Sequence, residues 1–311
     1  MSQQPSEMAQ AKTPTEPRFH KSRGPGSPDV MAFFDAATSS LSYLVIDPQE
    51  EKAAIIDPVL DFNAAAARIN VIGADKIARE AEDQNLGVEW VLDTHIHADH
   101  VTAAGYLKFR LGGKLGIGSH VGEVQKTFAE IYNAGPDFKS DGSQFDHLFR
   151  DNERFRVGTI QGIAMHTPGH TVDHMCYVIG DAVFVGDTLM MPDYGTARAD
   201  FPGADAATLY HSIRKLLQLP RNMRMFVLHD YAPNGRAYDW ETTVGAQAEG
   251  NVQVRDGISE QEFVALRTAR DKGLTVPSLM LAAIQINMRA GSLPPPEGNG
   301  QRYLKIPIDK F

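Results

Sequence analysis

The sequence predicts an α+β fold: an αββα sandwich of two mixed β-sheets lying face to face, flanked by helices. Three observations lead there. Strand-like and helix-like segments are mixed through both halves of the chain rather than segregated. Several apolar strands end abruptly in His or Asp, at positions where a sandwich collects side chains. The 311 residues, 42% hydrophobic and 22% charged, suit one large domain with tails.

In chain order, residues 1–29 are rich in Ser, Pro, Gln and Gly and read as a disordered leader. The domain is expected over 30–273, its order beginning at the apolar run Val30-Met31-Ala32-Phe33-Phe34. Ser42–Ile46 and Ala53–Ile56 read as strands, and Pro48-Gln49 marks the hairpin turn between them. Val71–Asn85 has helical spacing, with Ile72, Ile77, Ala78 and Ala81 on one side. Glu89–Leu92 is a short strand, Val101–Leu111 a helix stopped by Gly112-Gly113, Lys114–Ile117 a strand and Val121–Tyr132 a helix.

From Phe155 strands dominate: Phe155–Val157, Ile160–His166, Cys176–Ile179 and Ala182–Val185. Asp205–Leu219 is a helix closed by Pro220, Met225–Leu228 a strand, and Glu241–Gly250 reads as helical. Ser259–Lys272 is a helix opened by a capping box of Ser259 and Glu262. Residues 274–311 are expected to pack on the domain as a C-terminal extension, the stretch after Leu293 without regular structure.

The formal net charge of −9 argues against general affinity for nucleic acid or an anionic membrane. No apolar run is long enough to span a bilayer, and MSQQPSEMAQ lacks the basic start and apolar segment of a secretory signal, so a cytoplasmic location is expected. The single cysteine, Cys176, forms no intramolecular disulfide, and its apolar strand marks it as a packed core thiol.

Chemistry concentrates at four strand ends. In Thr94-His95-Ile96-His97-Ala98-Asp99-His100, four potential ligands fall within six residues. An extended backbone would place His95, His97 and Asp99 on one side, with His100 brought round by a turn. Buried imidazoles and carboxylates are costly unless paired or metal-bound, so a metal centre is the better reading and a solvated polar loop the bland one. His166-Thr167-Pro168-Gly169-His170 holds His170 on a tight Pro-Gly turn; His166 and His174 read as neighbours or surface residues. Val185-Gly186-Asp187 ends an apolar strand in a carboxylate, whose bland alternative is a capping role. Val227-Leu228-His229-Asp230-Tyr231 repeats the pattern.

THIHADH, HTPGHT, GDT and HDY, in this order, resemble the metallo-β-lactamase superfamily. Within it, IIDPVLDF, GDTLMMPDYGTARADFPGADA, HDYAPNGRAYDWETTV and NMRAGSLPPPEGNGQRYLKIP resemble the persulfide dioxygenases, especially their bacterial β-lactamase-like-hydrolase branch, over roughly Met31 to Phe311. The resemblance implies one Fe(II) held by His95, His170 and Asp187. A two-His, one-carboxylate set leaves open positions for a substrate sulfur and for dioxygen. The substrates it implies are a small-molecule thiol persulfide, glutathione persulfide, and O2, with sulfite and glutathione as products of sulfide detoxification. His97, Asp99, His100 and His229 match positions that bind one or two Zn(II) in hydrolytic relatives such as glyoxalase II; here they would orient ligands and waters.

Arg198 matches an arginine beside the family's active site and is a candidate for a substrate carboxylate, with an internal salt bridge to Asp200 or Asp205 as the alternative. Tyr231 matches the tyrosine of the HDY motif. Where the family often has cysteine, this chain has Ala199, so no thiol acts there. No second cysteine serves a fused sulfurtransferase domain, and that activity is not expected. The competing reading is a dinuclear zinc hydrolase of glyoxalase II type cleaving a glutathione thioester. The ligands would be His95, His97 and His170 for one ion and Asp99, His100 and His229 for the other, with Asp187 bridging. Nothing in the sequence sets the oligomeric state; a homodimer is the common outcome for such enzymes.

Overall fold

A computed structural model describes residues 12–310. Its strands are β1 (Arg18–His20), β2 (Asp29–Asp35), β3 (Ser40–Asp47), β4 (Lys52–Ile56), β5 (Val59–Asn63), β6 (Arg68–Asn70), β7 (Gly87–Leu92), β8 (Val101–Thr102), β9 (Lys114–Gly118) and β10 (His147–Phe149) in the first half. In the second half they are β11 (Glu153–Val157), β12 (Ile160–His166), β13 (Met175–Ile179), β14 (Ala182–Phe184), β15 (Arg224–Phe226) and β16 (Glu241–Thr243). The helices are α1 (Ile72–Asp83), α2 (Ala104–Leu111), α3 (Val121–Ile131), α4 (Ala206–Leu216), α5 (Val244–Gly250), α6 (Glu260–Asp271) and α7 (Met280–Asn287).

One sheet has the order β1-β2-β3-β4-β7-β9-β10 and the other β11-β12-β13-β14-β15-β16, with a small sheet β6-β5-β8 beside the first. Both large sheets are mixed: β4, β7, β9 and β10 run parallel in one, β14 and β15 in the other, and the remaining pairs are antiparallel. Every residue of β3 is buried because the strand is covered on both faces. Its side chains alternate accordingly: Tyr43 and Val45 enter the core between the sheets, while Leu44 and Ile46 enter a second core under α1, α2, α3 and α7.

Two ties join the sheets at one edge. The Leu41 amide of β3 donates to Leu228 O (2.8 Å), just past β15, and the Met175 amide of β13 donates to Thr94 O (2.8 Å), just past β7. That edge carries the candidate site.

The expected hairpin forms as β3 and β4, with Ile46 opposite Ala53. The capping box of α6 is complete. Three segments differ from their sequence reading. Val101-Thr102 is strand, not helix, because the Thr102 amide is taken by Asn287 Oδ1 (2.9 Å) and the Thr102 hydroxyl accepts from the Ala104 amide (3.1 Å), so the helix starts later. Glu241–Thr243 pairs with β15, and Thr243 then caps α5 through the Ala246 amide.

The third is the leader. Its residues 1–11 lie outside the described residues, but Arg18–His20 form a strand rather than disordered chain. Tertiary partners hold that strand: Arg18 bonds Asp239 (2.9 Å) and lies over the Trp240 ring, and His20 bonds Glu241 (2.5 Å). In the C-terminal region α7 is buried in the second core, while residues 293–310 carry no helix or strand.

Candidate metal centre

Four loops leave the tied edge. The first follows β7. Residues 95–100 are not extended as expected but turned, so their side chains part company. His95 joins His170 and Asp187, their ligand atoms all within 4.8 Å of one another. His97, Asp99 and His100 form a second group on the same criterion, and Asp99, Asp187 and His229 a third, so Asp187 and Asp99 link the groups.

Buried side chains hold the first loop. The Asp57 carboxylate, just past β4, accepts from the Thr94 amide (2.7 Å) and from His97 Nε2 (2.9 Å). The Asp173 carboxylate accepts from the Ile96 amide (3.0 Å). In the neutral ring, a donating Nε2 would leave Nδ1 of His97 with the lone pair.

The second loop follows β12. Gly169 has φ +132°, and a Cβ there would meet the Leu209 backbone at 2.3 Å; only glycine lets the loop lie against α4. His170 Nδ1 donates to Arg198 O (2.8 Å), which turns Nε2 toward Asp187 Oδ2 at 3.4 Å. The third loop follows β14. Gly186 at φ +47° packs against Thr94 and His174, and the Asp187 amide donates to His174 Nε2 (2.9 Å). His95 Nε2 lies 3.9 Å from Asp187 Oδ2. In the fourth loop, past β15, His229 Nδ1 donates to Ser39 O (3.1 Å), and Nε2 stands 3.3 Å from both Asp99 Oδ2 and Asp187 Oδ1.

His95 Nε2, His97 Nδ1, His100 Nε2 and Asp187 Oδ1 are buried and make no hydrogen bond. Orphaned buried polar atoms are costly, and four spread over these neighbouring groups, all on metal-ligating residue types, fit bound cations. Burial, with the neighbouring imidazoles, pushes His95 well below the ordinary histidine range, toward the neutral form a ligand needs. Burial acts the same way on His97, but the adjacent Asp57 charge overrides it and lifts that ring to about 9. Burial would raise Asp99, yet His100 and His229 hold its carboxylate well below the usual range.

A cleft of about 390 Å³ opens on this cluster, lined by His170, Asp187, His229, Tyr231, Arg198 and Phe201 among others. Arg198 does not present a free guanidinium: Nε and Nη2 grip Asp200 (2.5 and 2.7 Å) and Nη1 donates to Thr275 O (2.7 Å). Of its two sequence readings, the internal salt bridge is the one it makes. Tyr231 is 43% exposed in the cleft, its ring stacked on His229 and tilted against Tyr194. Arg270 is exposed at the same opening, its guanidinium 5.1 Å from the Tyr194 ring centre. Cys176 is fully buried. His166, bonded to Val172 O and stacked on His120, stays outside the cluster.

Sequence reading missed Asp57, Asp173 and Asn287 and undervalued His174. IIDPVLDF held a legible hint, a carboxylate at the end of an apolar strand like Asp187. The others have no local signal.

Residues 36–226 match the metallo-β-lactamase superfamily, and the chain belongs to it. Members of this fold family bind metal ions at such a His/Asp cluster. The chain is 52% identical over 283 residues to a β-lactamase hydrolase-like protein of Xylella fastidiosa, covering 91% of this chain and 65% of that longer protein. It is 44% identical to a glyoxylase B2 of Dictyostelium discoideum, over 90% of this chain and 96% of that one. It is 28% identical to the mitochondrial persulfide dioxygenase ETHE1 of Bos taurus, over 90% and 95%. Among solved structures, ETHE1 from Myxococcus xanthus superposes with a TM-score of 0.66 at 28% identity, covering 84% of this chain and 98% of that one. Among the described residues no helix is long and apolar enough to cross a membrane.

Proposed function

We propose that this chain is a persulfide dioxygenase that holds one Fe(II) with His95, His170 and Asp187. The net reaction converts glutathione persulfide, O2 and water to glutathione and sulfite, with two protons released. The observation that carries this reading is the convergence of the His95 imidazole on His170 and Asp187, which line an open cleft. The likeness to ETHE1 in sequence and structure supports it. Fe(II) bound there supplies the electron transfer that activates dioxygen, which Zn(II) lacks.

The chain's own residues bind and orient. Arg198 O and Thr94 Oγ1 set the rings of His170 and His95 through their Nδ1 atoms. Tyr231 offers its hydroxyl to the substrate from the cleft wall. Arg198 is committed to Asp200, so the exposed Arg270 takes the role of meeting a substrate carboxylate.

A second reading has its own support. Asp99, His229 and the shared Asp187 could hold another ion, as a dinuclear zinc hydrolase cleaving a glutathione thioester requires. The likeness to a glyoxylase B2 favours it. Anaerobic purification without added metal, then metal quantification and oxygen uptake, separates the two. The expected result is one iron per chain with oxygen consumed on glutathione persulfide. Two zinc ions per chain with thioester hydrolysis and no oxygen uptake overturns the dioxygenase reading. The chain acts on small molecules on either reading, and a cytoplasmic location and a homodimer remain the proposals for its setting.

A further inference from the structure

The loop that carries His95, His97, Asp99 and His100 pairs with no strand along residues 95–100, so its carbonyls need partners from elsewhere. Two find the same one. Asn287 Nδ2 donates to His97 O (2.9 Å) and to His100 O (2.8 Å), while Asn287 Oδ1 accepts from the Thr102 amide (2.9 Å). A single buried amide, 1% exposed, thus closes the turn that places His97, Asp99 and His100. Asparagine suits this task because its side chain is both a double donor and an acceptor. Aspartate at the same place would set a carboxylate against two carbonyl oxygens.

Asn287 is the last residue of α7, and that helix is firmly seated. Met280, Ala283, Ile284 and Ile286 are buried in the second core, and Met288 caps the helix. The turn beyond it presses on the start of α2: a Cβ on Gly105 would lie 2.8 Å from Ala290 O. The C-terminal helix is therefore braced from both sides while its final side chain reaches 190 residues back along the chain.

We propose that Asn287 is a positioning residue for the metal centre, tying the C-terminal segment to the geometry of the first ligand loop. It touches neither substrate nor ion; it acts through the backbone of His97 and His100. The inference rests on the presence of a metal centre and not on the reaction run there, so it stands or falls apart from the dioxygenase reading.

The test is Zn(II) affinity of the full chain, read by competition with a chromophoric chelator, for the native protein, Asn287→Leu, Asn287→Asp and Gln285→Leu. Gln285 serves as control: it lies on the same helix and is buried, but it bonds Leu281 O and Lys305 rather than the loop. Loss of an outer support costs about 10–100-fold in metal affinity. That loss is expected in both Asn287 variants, with the Gln285 variant within about twofold of native. If Asn287→Leu does not fold, the isosteric Asn287→Asp carries the comparison. Native-like Zn(II) affinity in a folded Asn287 variant overturns the proposal, and so does an equal loss in the Gln285 variant, which would mean general loosening of α7.

Discussion

Single residues show how the loops of the candidate centre are held. Asp57 adopts a left-handed φ of +48°, an uncommon conformation for a non-glycine residue, and from there its carboxylate reaches both Thr94 and His97. His174 uses one ring nitrogen to accept from the Asp187 amide and the other to meet the Thr167 hydroxyl at 3.0 Å. Its ring thereby joins the second and third loops without being a ligand. Cys176 lies beneath them, its sulfur 3.1 Å from Thr167 Oγ1. Burial raises that thiol to about 11, which leaves almost no thiolate at neutral pH. Native protein at pH 7.5 is therefore expected to resist alkylation, with one thiol per chain titrating only after denaturation. Rapid modification of the folded protein would contradict the buried, protonated thiol.

At the scale of elements, α4 and the His170 loop that follows β12 act as a pair. Asp205 caps α4, accepting from the Thr208 amide (2.7 Å), while the Asp205 amide donates to Gly169 O (2.9 Å) beside His170. The helix start and the ligand loop share one residue. Asp205→Ala should cost about 1 kcal/mol of stability in chemical denaturation. The Thr208 hydroxyl and amide hold the Asp205 carboxylate below its ordinary range. A depressed folded value means the stabilisation is fully present above the unfolded pKa, about 4, and is lost as pH falls through the folded value. The gap between native and Asp205→Ala protein should thus be constant near neutrality and shrink at pH values under about 4. A gap that widened on acidification would reverse the assignment.

The whole molecule draws its candidate ligands from both sheets. His95 follows β7 of the first sheet, whereas His170, Asp187 and His229 follow strands of the second. A cation bound between them crosslinks the sandwich at its tied edge. Its removal should therefore lower global stability and not merely activity. Saturation a thousandfold above Kd contributes about 4 kcal/mol if the unfolded chain does not bind. Thermal unfolding with and without chelator measures this; coincident transitions would place the ion outside the folded core.

The sequence alone carried the layer architecture and most element types, because burial on one face leaves a period of 2 or about 3.6 in the order of apolar residues. It also carried the four strand ends of the candidate site, since His and Asp following apolar strands break that pattern visibly. It misjudged segments whose state depends on distant partners. Arg18–His20 are strand because they pair with β2 and are held by Asp239, Trp240 and Glu241, and Val101-Thr102 escape the helix because Asn287 takes an amide. Tertiary structure alone decided that Arg198 spends its guanidinium on Asp200, and that Asp57, His174 and Asn287 brace the ligand loops. The physical reason is range. A periodic pattern reports which way a side chain faces, but a hydrogen bond between residues 40 or 190 positions apart leaves no trace in the neighbourhood of either.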